Sequence, residues 1–365
     1  MSGLAEILKR RIEQGGPITV ADYMAEALGH PVHGYYRGAD RLGLVGDFIT
    51  APEVSQMFGE LIGLWAAIVW KLMGSPEPFV LAELGPGRGT LMADFLRAGK
   101  SVAGFVPAAR LHLVEQSPGF RRRQAEALSG SGLTDPPIWH DAFDALPDGP
   151  LLLVANEFFD ALPIRQLIRG DGGWRERMVG FSGGEFRFIE GPGVPAPTAI
   201  ASAAPGDIAE ICPPGLNIAN AIGKRLARSG GAALIVDYGY AETAIGDSLQ
   251  AMRGHARHNV LSEPGTADLT AHVDFAALGR AATEGGAAIH GPVNQGEFLL
   301  RLGIAARLDG LLKTAAPDQI LGLRAGYRRL LDPAAMGALF KIMALAHPAL
   351  RELPGLEARR APSAI

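Results

Sequence analysis

Cysteine is all but absent: Cys212 is the only one in 365 residues, so no disulfide can close within the chain. The start, Met1 to Arg11, has no apolar signal core, and with the lone thiol this predicts a reducing compartment, read as the cytoplasm. Long apolar runs are lacking as well. The longest, Leu61 to Trp70, is about half of what a bilayer span needs, so it reads as a buried helix and no membrane insertion is expected. Positive charge is in no excess, with 34 Lys and Arg against 38 Asp and Glu and a formal net charge of -4. A field able to neutralise a phosphate backbone is therefore missing, and nucleic acid is not an expected partner. There is no internal repeat, nucleophile elbow or Walker-type loop, which removes solenoids and the familiar hydrolase and nucleotidase sites. His255-Ala256-Arg257-His258 offers half a metal site with no second ligand pair at a suitable spacing, so no metal is expected.

What remains is an ordinary folded composition, 48% hydrophobic and 20% charged, long enough for one large α/β domain with additions. Residues 1–75 read as an N-terminal helical cap, with apolar spacing at Leu4, Ile7, Leu8 and Ile12 and again at Val20, Tyr23, Met24 and Leu28. Its last helix is expected to start at Thr50-Ala51-Pro52-Glu53, with Thr50 as N-cap, after a loop rich in glycine and aromatics from Gly34 to Thr50. From Phe79 short apolar strands alternate with helical stretches, the signature of a parallel sheet covered on both faces. Strands are expected at Phe79 to Glu83, Arg110 to Val114, Leu151 to Ala155, Ala232 to Asp237 and Ala287 to His290, followed by a helix from Leu308 to Leu331 and a final strand or helix at Gly337 to Ala346. This main domain spans 76–350 and leaves 351–365 as a tail. A hairpin at Arg165 to Glu190 and a Pro/Ala-rich link from Gly191 to Pro205 interrupt the alternation, so the insertion at about 165–205 is a candidate for substrate specificity.

The most informative segment is Phe79-Val80-Leu81-Ala82-Glu83-Leu84-Gly85-Pro86-Gly87-Arg88-Gly89-Thr90. An apolar strand runs into three glycines at spacing two, and a helix can begin directly after them. Glycines let the backbone turn and approach a ligand without Cβ atoms, and the helix start offers free N–H groups. An acid at the end of the second strand, Glu115, can accept from both hydroxyls of an adenosine ribose. A dinucleotide site would place its third glycine one position later. Glu83 beside the loop would repel a pyrophosphate and attract the ammonium and sulfonium of S-adenosyl-L-methionine. The reading is thus a Rossmann-like class I methyltransferase fold with a seven-stranded, mostly parallel sheet, the helical cap and the inserted hairpin. Cofactor contacts are expected from Glu83, Gly85, Pro86, Gly87, Gly89, Glu115 and Gln116, and from Asp141 and Ala142 at the adenine, where Phe143 packs. Asp47, in a glycine-flanked lid Gly46 to Thr50, is a further candidate.

Methyl transfer needs alignment of acceptor, methyl and sulfur more than it needs a nucleophile on the enzyme. A guanidinium acceptor also needs carboxylates that grip it. Asn156, Glu157 and Asp160 follow the Leu151 to Val154 strand at the carboxyl edge of the sheet, where open α/β folds bind ligands, and are the candidate catalytic residues. Phe158 and Phe159 read equally as core or as walls of the methyl path. His272 and Asp274 read as strand or cap residues.

Longer motifs extend this picture: Gly46 to Glu60 (GDFITAPEVSQMFGE), Ala155 to Pro163 (ANEFFDALP), Asp237-Tyr238-Gly239 and Asp268 to Phe275 (DLTAHVDF). They resemble the MidA family of methyltransferases over most of the chain, from about Pro17 to His347. The resemblance implies a protein substrate with an arginine acceptor, since the family includes the mitochondrial protein arginine methyltransferase that assists assembly of respiratory complex I by acting on its 49-kDa subunit. A homodimer through a sheet edge or the Leu61 to Trp70 surface is compatible with the sequence. The rival from another class is a non-catalytic assembly factor that keeps the fold, and a nicotinamide-dependent oxidoreductase is disfavoured by the glycine spacing.

Overall fold

The computed structural model describes residues 3–37, 50–197, 199–200 and 202–356. The main sheet has eight strands among the described residues, one more than expected: seven form its continuous path, named first to seventh in chain order, Phe79–Leu84, Ala109–Val114, Ile138–His140, Leu151–Asn156, Gly231–Tyr240, Ala288–Asn294 and Phe340–Ala346, and the two-residue Val273–Asp274 pairs in parallel with the end of the fifth. Across the sheet they run sixth, seventh, fifth, fourth, first, second, third. From the fifth to the third strand all pairings are parallel, whereas the seventh is antiparallel to both its neighbours. Both faces are buried, which is why the central strands read as unbroken apolar runs rather than alternations. Phe79, Leu81, Leu152, Val154, Leu234 and Val236 face one core, and Val80, Ala82, Leu84, Leu153, Ala155 and Ile235 the other.

The Leu61 to Trp70 run lies in a helix, Gln56–Leu72, whose face of Leu61, Ile62, Trp65, Ala66, Val69 and Trp70 is spent inside the first core rather than offered to a second copy. Among the described residues no helix is long and apolar enough to cross a membrane. The helix does not begin at Thr50. Thr50 heads a single turn, Ala51–Val54, without a side-chain bond, and Ser55 caps the long helix by accepting from the Met57 amide at 3.3 Å. The helix expected at Leu308 to Leu331 is two, Ile304–Leu312 and Pro317–Leu331, because Pro317 can start a helix but not continue one. The third strand escaped the pattern reading: it has three residues, and Ile138 is half exposed at the sheet edge.

The insertion is larger than a hairpin. Arg165–Gly170, Gly173–Ser182 and Glu185–Val194 recruit Ile208–Ile211 on one side and Ile18–Thr19 on the other into a separate five-stranded antiparallel sheet. The N-terminal helices Gly3–Gly15 and Val20–Gly29 pack with it, sharing a third core with Ala267, Leu269 and Ala271. The described part of the cap thus serves two cores, its first helices packing against the insertion and Gln56–Leu72 against the main sheet. A small three-stranded sheet of Gln250–Arg253, Ala256–His258 and Asp268–Thr270 completes the layer over the carboxyl edge, and the His255 segment is its tight turn.

Close packing of the Gln56–Leu72 and Thr90–Gly99 helices requires Gly63, where an added Cβ would lie 2.3 Å from the Phe95 carbonyl oxygen. Gly63→Val should destabilise the protein by about 2–3 kcal/mol. Gly322→Ala, in an exposed helix with nothing within 4 Å of an added Cβ, should stabilise it by roughly 0.5–1 kcal/mol. Denaturant titration of both variants checks the contrast, and equal effects would refute it.

Candidate active site

The glycine loop leaves the first strand under tension that only glycine relieves. Gly85, Gly87 and Gly89 have φ of 61°, 52° and 82°, and the Gly89 amide closes the turn on the Pro86 carbonyl at 2.8 Å. The three positions differ in use. A Cβ on Gly85 would touch the Phe158 ring at 3.0 Å, one on Gly89 would press on Gln124 Cα at 3.3 Å, and one on Gly87 meets no protein atom within 4 Å. Gly89 is the N-cap of the Thr90–Gly99 helix, seated against the neighbouring Pro118–Ala127 helix, and does not line the cleft. Glu83 precedes the loop almost fully buried, its pKa pushed up by burial to about 8, and its Oε2 has no hydrogen-bond partner. An orphaned acid beside open backbone is suited to an ammonium group.

One residue that pattern reading missed ties this loop to the second strand. Gln124, fully buried, donates from Nε2 to the Gly87 carbonyl at 2.8 Å and to Glu115 Oε2 at 3.3 Å, and its Oε1 accepts from Trp139 Nε1 at 2.7 Å. Glu115 Oε1 accepts from the Ser117 amide at 2.7 Å. Burial raises the Glu115 pKa while these donors oppose the rise. Gln116 donates from Nε2 to the Asp141 carbonyl at 3.0 Å, and the exposed Asp141 carboxylate pairs with Arg121 at 2.5 Å. The structure thus adds Arg121 as the keeper of the Asp141 loop.

At the end of the fourth strand the chain makes a strained turn. Glu157 has φ of 49°, a conformation an L residue adopts at a cost of about 1–3 kcal/mol. Asp237, fully buried on the adjacent fifth strand, holds it there: Oδ2 accepts from the amides of Phe158, Phe159 and Asp160 at 3.0–3.3 Å, and Oδ1 from that of Tyr238 at 3.0 Å. Burial and the charges of Asp160 and Glu157 push the Asp237 pKa up, against the pull of its amide donors. The turn presents Glu157, whose Oε1 accepts from the Ala51 amide at 3.1 Å and Asn156 Nδ2 at 3.3 Å. Burial foremost, then the charge of Asp160, raises Glu157 to about 7, and burial raises Asp160 to about 6. Phe159 is core, while Phe158 stands edge-on to it and lines the cleft.

A single cleft of about 660 Å³ gathers Glu83, Gly85, Pro86, Gly87, Glu115, Gln116, Asp141, Ala142, Phe143, Asn156, Glu157 and Asp160. Asp47 and its lid segment through residue 49 lie outside the described residues. His272 is not in this cleft; its ring packs between Tyr238 and Tyr240. Asp274 is the N-cap of the Phe275–Glu284 helix, accepting from the Ala277 amide at 2.8 Å. Tyr36, Asp268 and Thr270 line the cleft from elements outside the main sheet.

A sheet of this strand order with a reversed last strand, a glycine loop after its first strand and acids closing the first two strands defines a class I S-adenosyl-L-methionine-dependent methyltransferase. Residues 61–293 match the family model described as an S-adenosyl-L-methionine-dependent methyltransferase, and the chain belongs to that MidA-like family. It is 40% identical to the protein arginine methyltransferase NDUFAF7 homolog, mitochondrial, of Drosophila melanogaster over 94% of this chain and 84% of that one. With the mitochondrial protein arginine methyltransferase NDUFAF7 of Mus musculus it shares 41% over 93% of this chain and 83% of that one. A COG1565 superfamily member from Burkholderia thailandensis, solved bound to S-adenosyl-homocysteine, superposes with a TM-score of 0.82 at 28% identity, covering 96% of this chain and 93% of that one. The cofactor is S-adenosyl-L-methionine. These relatives correct the cytoplasmic expectation: they are named mitochondrial. A single thiol rules out an intrachain disulfide and does not specify a compartment.

Gln124→Leu keeps the volume and removes the tie between the glycine loop and Glu115. Its affinity for S-adenosyl-homocysteine should fall about tenfold or more in calorimetric titration, the order expected for lost bonds to a buried carboxylate. Unchanged affinity would show that the loop holds its shape without Gln124.

Proposed function

We propose that the protein methylates an arginine side chain of a protein partner, with the cofactor held by Glu83, Gly85, Pro86, Gly87, Glu115, Gln116, Asp141 and Ala142, and by Asp47. When bound, S-adenosylmethionine supplies an electrophilic methyl group that an acceptor nitrogen attacks in line. Glu83 meets the cofactor's ammonium group and Glu115 its ribose hydroxyls. Glu157 and Asp160 grip the guanidinium and draw its positive charge away from the attacking nitrogen, and Glu157 takes the proton that this nitrogen loses. Asn156, whose Nδ2 donates to Glu157, fixes that carboxylate. The observation that carries the reading is the charge of the cleft, whose described lining has eight carboxyl groups and one basic side chain, Arg88. Such a wall selects for cations, and both the cofactor and an arginine are cationic.

The names of the relatives support the arginine acceptor. The resemblance to the MidA family adds a respiratory complex I subunit of the 49-kDa type as the protein to test first. The helical segment 1–75 and the insertion at about 165–205 form the substrate side of the main domain, 76–350, with 351–365 as tail.

Binding is tested by titrating S-adenosyl-L-methionine and, separately, NAD into wild type and Gly87→Asp. Micromolar S-adenosyl-L-methionine affinity that is lost in the variant, with no NAD binding, is expected. Folded wild type that ignores S-adenosyl-L-methionine would favour a non-catalytic assembly factor.

The raised pKa of Glu157 gives two effects of opposite sign. The carboxylate needed for catalysis forms as pH rises through about 7, so kcat/KM should climb there and fall again on acidification. Stability runs the other way. A folded pKa above the usual 4.5 means the folded state holds the proton more tightly, so this contribution is full below 4.5 and is lost as pH rises through about 7. Glu157→Gln should therefore cost about 100-fold or more in kcat, the general-base range. At pH 8 the same variant should melt higher than wild type. A variant that is both active and no more stable would contradict the assignment.

A further inference from the structure

Beyond Glu157 and Asp160, the wall of the cleft continues into residues contributed by the N-terminal cap and the small outer sheet. Tyr36 lies in a short turn, Tyr35–Arg37, and Asp268 and Thr270 in the edge strand Asp268–Thr270. Tyr36 Oη donates to Asp268 Oδ1 at 2.9 Å. The Ala271 amide donates to the Asp160 backbone carbonyl at 3.0 Å, so this strand is pinned to the turn that carries Glu157. Asp160 is 5% exposed, Asp268 5% and Thr270 3%, yet all three line the cleft. The neighbouring Tyr238 hydroxyl lies within hydrogen-bonding reach of both the Asp160 carboxyl and the Thr270 hydroxyl, so the three form one buried polar corner. Two carboxyl groups and a hydroxyl, those of Asp160, Asp268 and Thr270, thus meet at one corner of the cleft and offer several acceptors to a ligand with several donors.

We propose that Asp268, held by Tyr36, and Thr270 complete an acceptor subsite with Asp160, and that Asp268 sets its preference for a planar guanidinium over an uncharged group of the same shape. The proposal rests on the arginine reading and goes beyond it by naming where specificity resides. A guanidinium carries five N–H donors in a rigid fork; one nitrogen must stay free of strong bonds to attack, and the others need acceptors. Glu157 alone cannot satisfy them. Asp160, Asp268 and the Thr270 hydroxyl supply the remaining acceptors, and the Tyr36 ring adds a flat surface for the cation. Because Tyr36 and Asp268 come from the cap and the outer sheet, selection of the acceptor is separated from binding of the cofactor.

The test uses the full chain saturated with S-adenosyl-homocysteine and two peptides, acetyl-Gly-Arg-Gly amide and its citrulline counterpart, whose urea matches the guanidinium in shape without its charge. Wild type should prefer arginine by about tenfold or more, and Asp268→Asn should erase most of that preference while S-adenosyl-homocysteine affinity stays within about twofold. Tyr36→Phe, which keeps the carboxylate and removes its tether, should lose about threefold. An arginine preference that survives in Asp268→Asn and Tyr36→Phe but disappears in Glu157→Gln would overturn the subsite and leave the arginine reading standing. No preference in wild type would overturn both. Should Asp268→Asn fail to fold, an unchanged preference in Tyr36→Phe is sufficient to reject the proposal.

Discussion

Four backbone amides converging on the Asp237 carboxylate are the constraint on which the active site depends. The chain leaving the fourth strand must reverse within a few residues, and in doing so it buries N–H groups that no strand or helix can satisfy. The Asp237 carboxylate on the adjacent strand accepts from those of Phe158, Phe159 and Asp160, and also from the Tyr238 amide of its own strand. That one arrangement forces Glu157 into the left-handed region, aims it across the cleft at the Ala51 amide, and sets Phe158 against the glycine loop at Gly85. The glycine loop and the Glu157 turn are thereby fixed relative to each other by neighbouring strand ends.

The same convergence concentrates negative charge, and the fold balances it selectively. Structural acids are met by donors within the fold, Asp237 by backbone amides, Glu60 by both Arg97 and Arg307, and Glu176 by Arg165. Those bonds to Arg307 and Arg97 hold the Glu60 pKa below its usual value despite burial. Glu83, Glu157 and Asp160 have no salt bridge among the described residues, and their pKa values stand at about 8, 7 and 6. The contrast sets the arginine-paired Glu60 and Glu176 apart from the cleft acids, to which the proposed function gives cationic ligands. Leaving them unmatched costs stability, which is the expected condition of a site whose partners arrive from solution.

How much of this could be read from the residues follows from how local each signal is. Strands buried on both faces leave continuous apolar runs, and the glycine triplet sits in one short segment, so the sheet and the loop were visible. Gln124 was not, because it lies in a polar-looking helix, PGFRRRQAEA, and its partners are Gly87, 37 residues away, and Trp139 on an edge strand. Asp237 stood inside an evident motif, but its partners are 77–79 residues distant, so only the register of the fourth and fifth strands reveals its task. Ser55 took the cap expected of Thr50 because the intervening Pro52 turn is a separate element, a distinction no hydrophobic period records. Asp47, a plausible lid residue by composition, lies outside the described residues.

The insertion and the N-terminal helices explain why a methyltransferase of this kind is longer than its sheet requires. Ile18–Thr19 pairs with the inserted Gly173–Ser182 strand, and the first two helices share a core with Ala267, Leu269 and Ala271. Two segments separated by more than a hundred residues therefore fold as one layer over the carboxyl edge. Tyr36 packs against that shared core, whereas Glu115, Gln124 and the glycine loop are not part of it. The cleft is thus walled from two sides, by the carboxyl edge of the main sheet and by this outer layer, and the turn anchored by Asp237 joins the two, since the Ala271 amide donates to the Asp160 carbonyl at 3.0 Å.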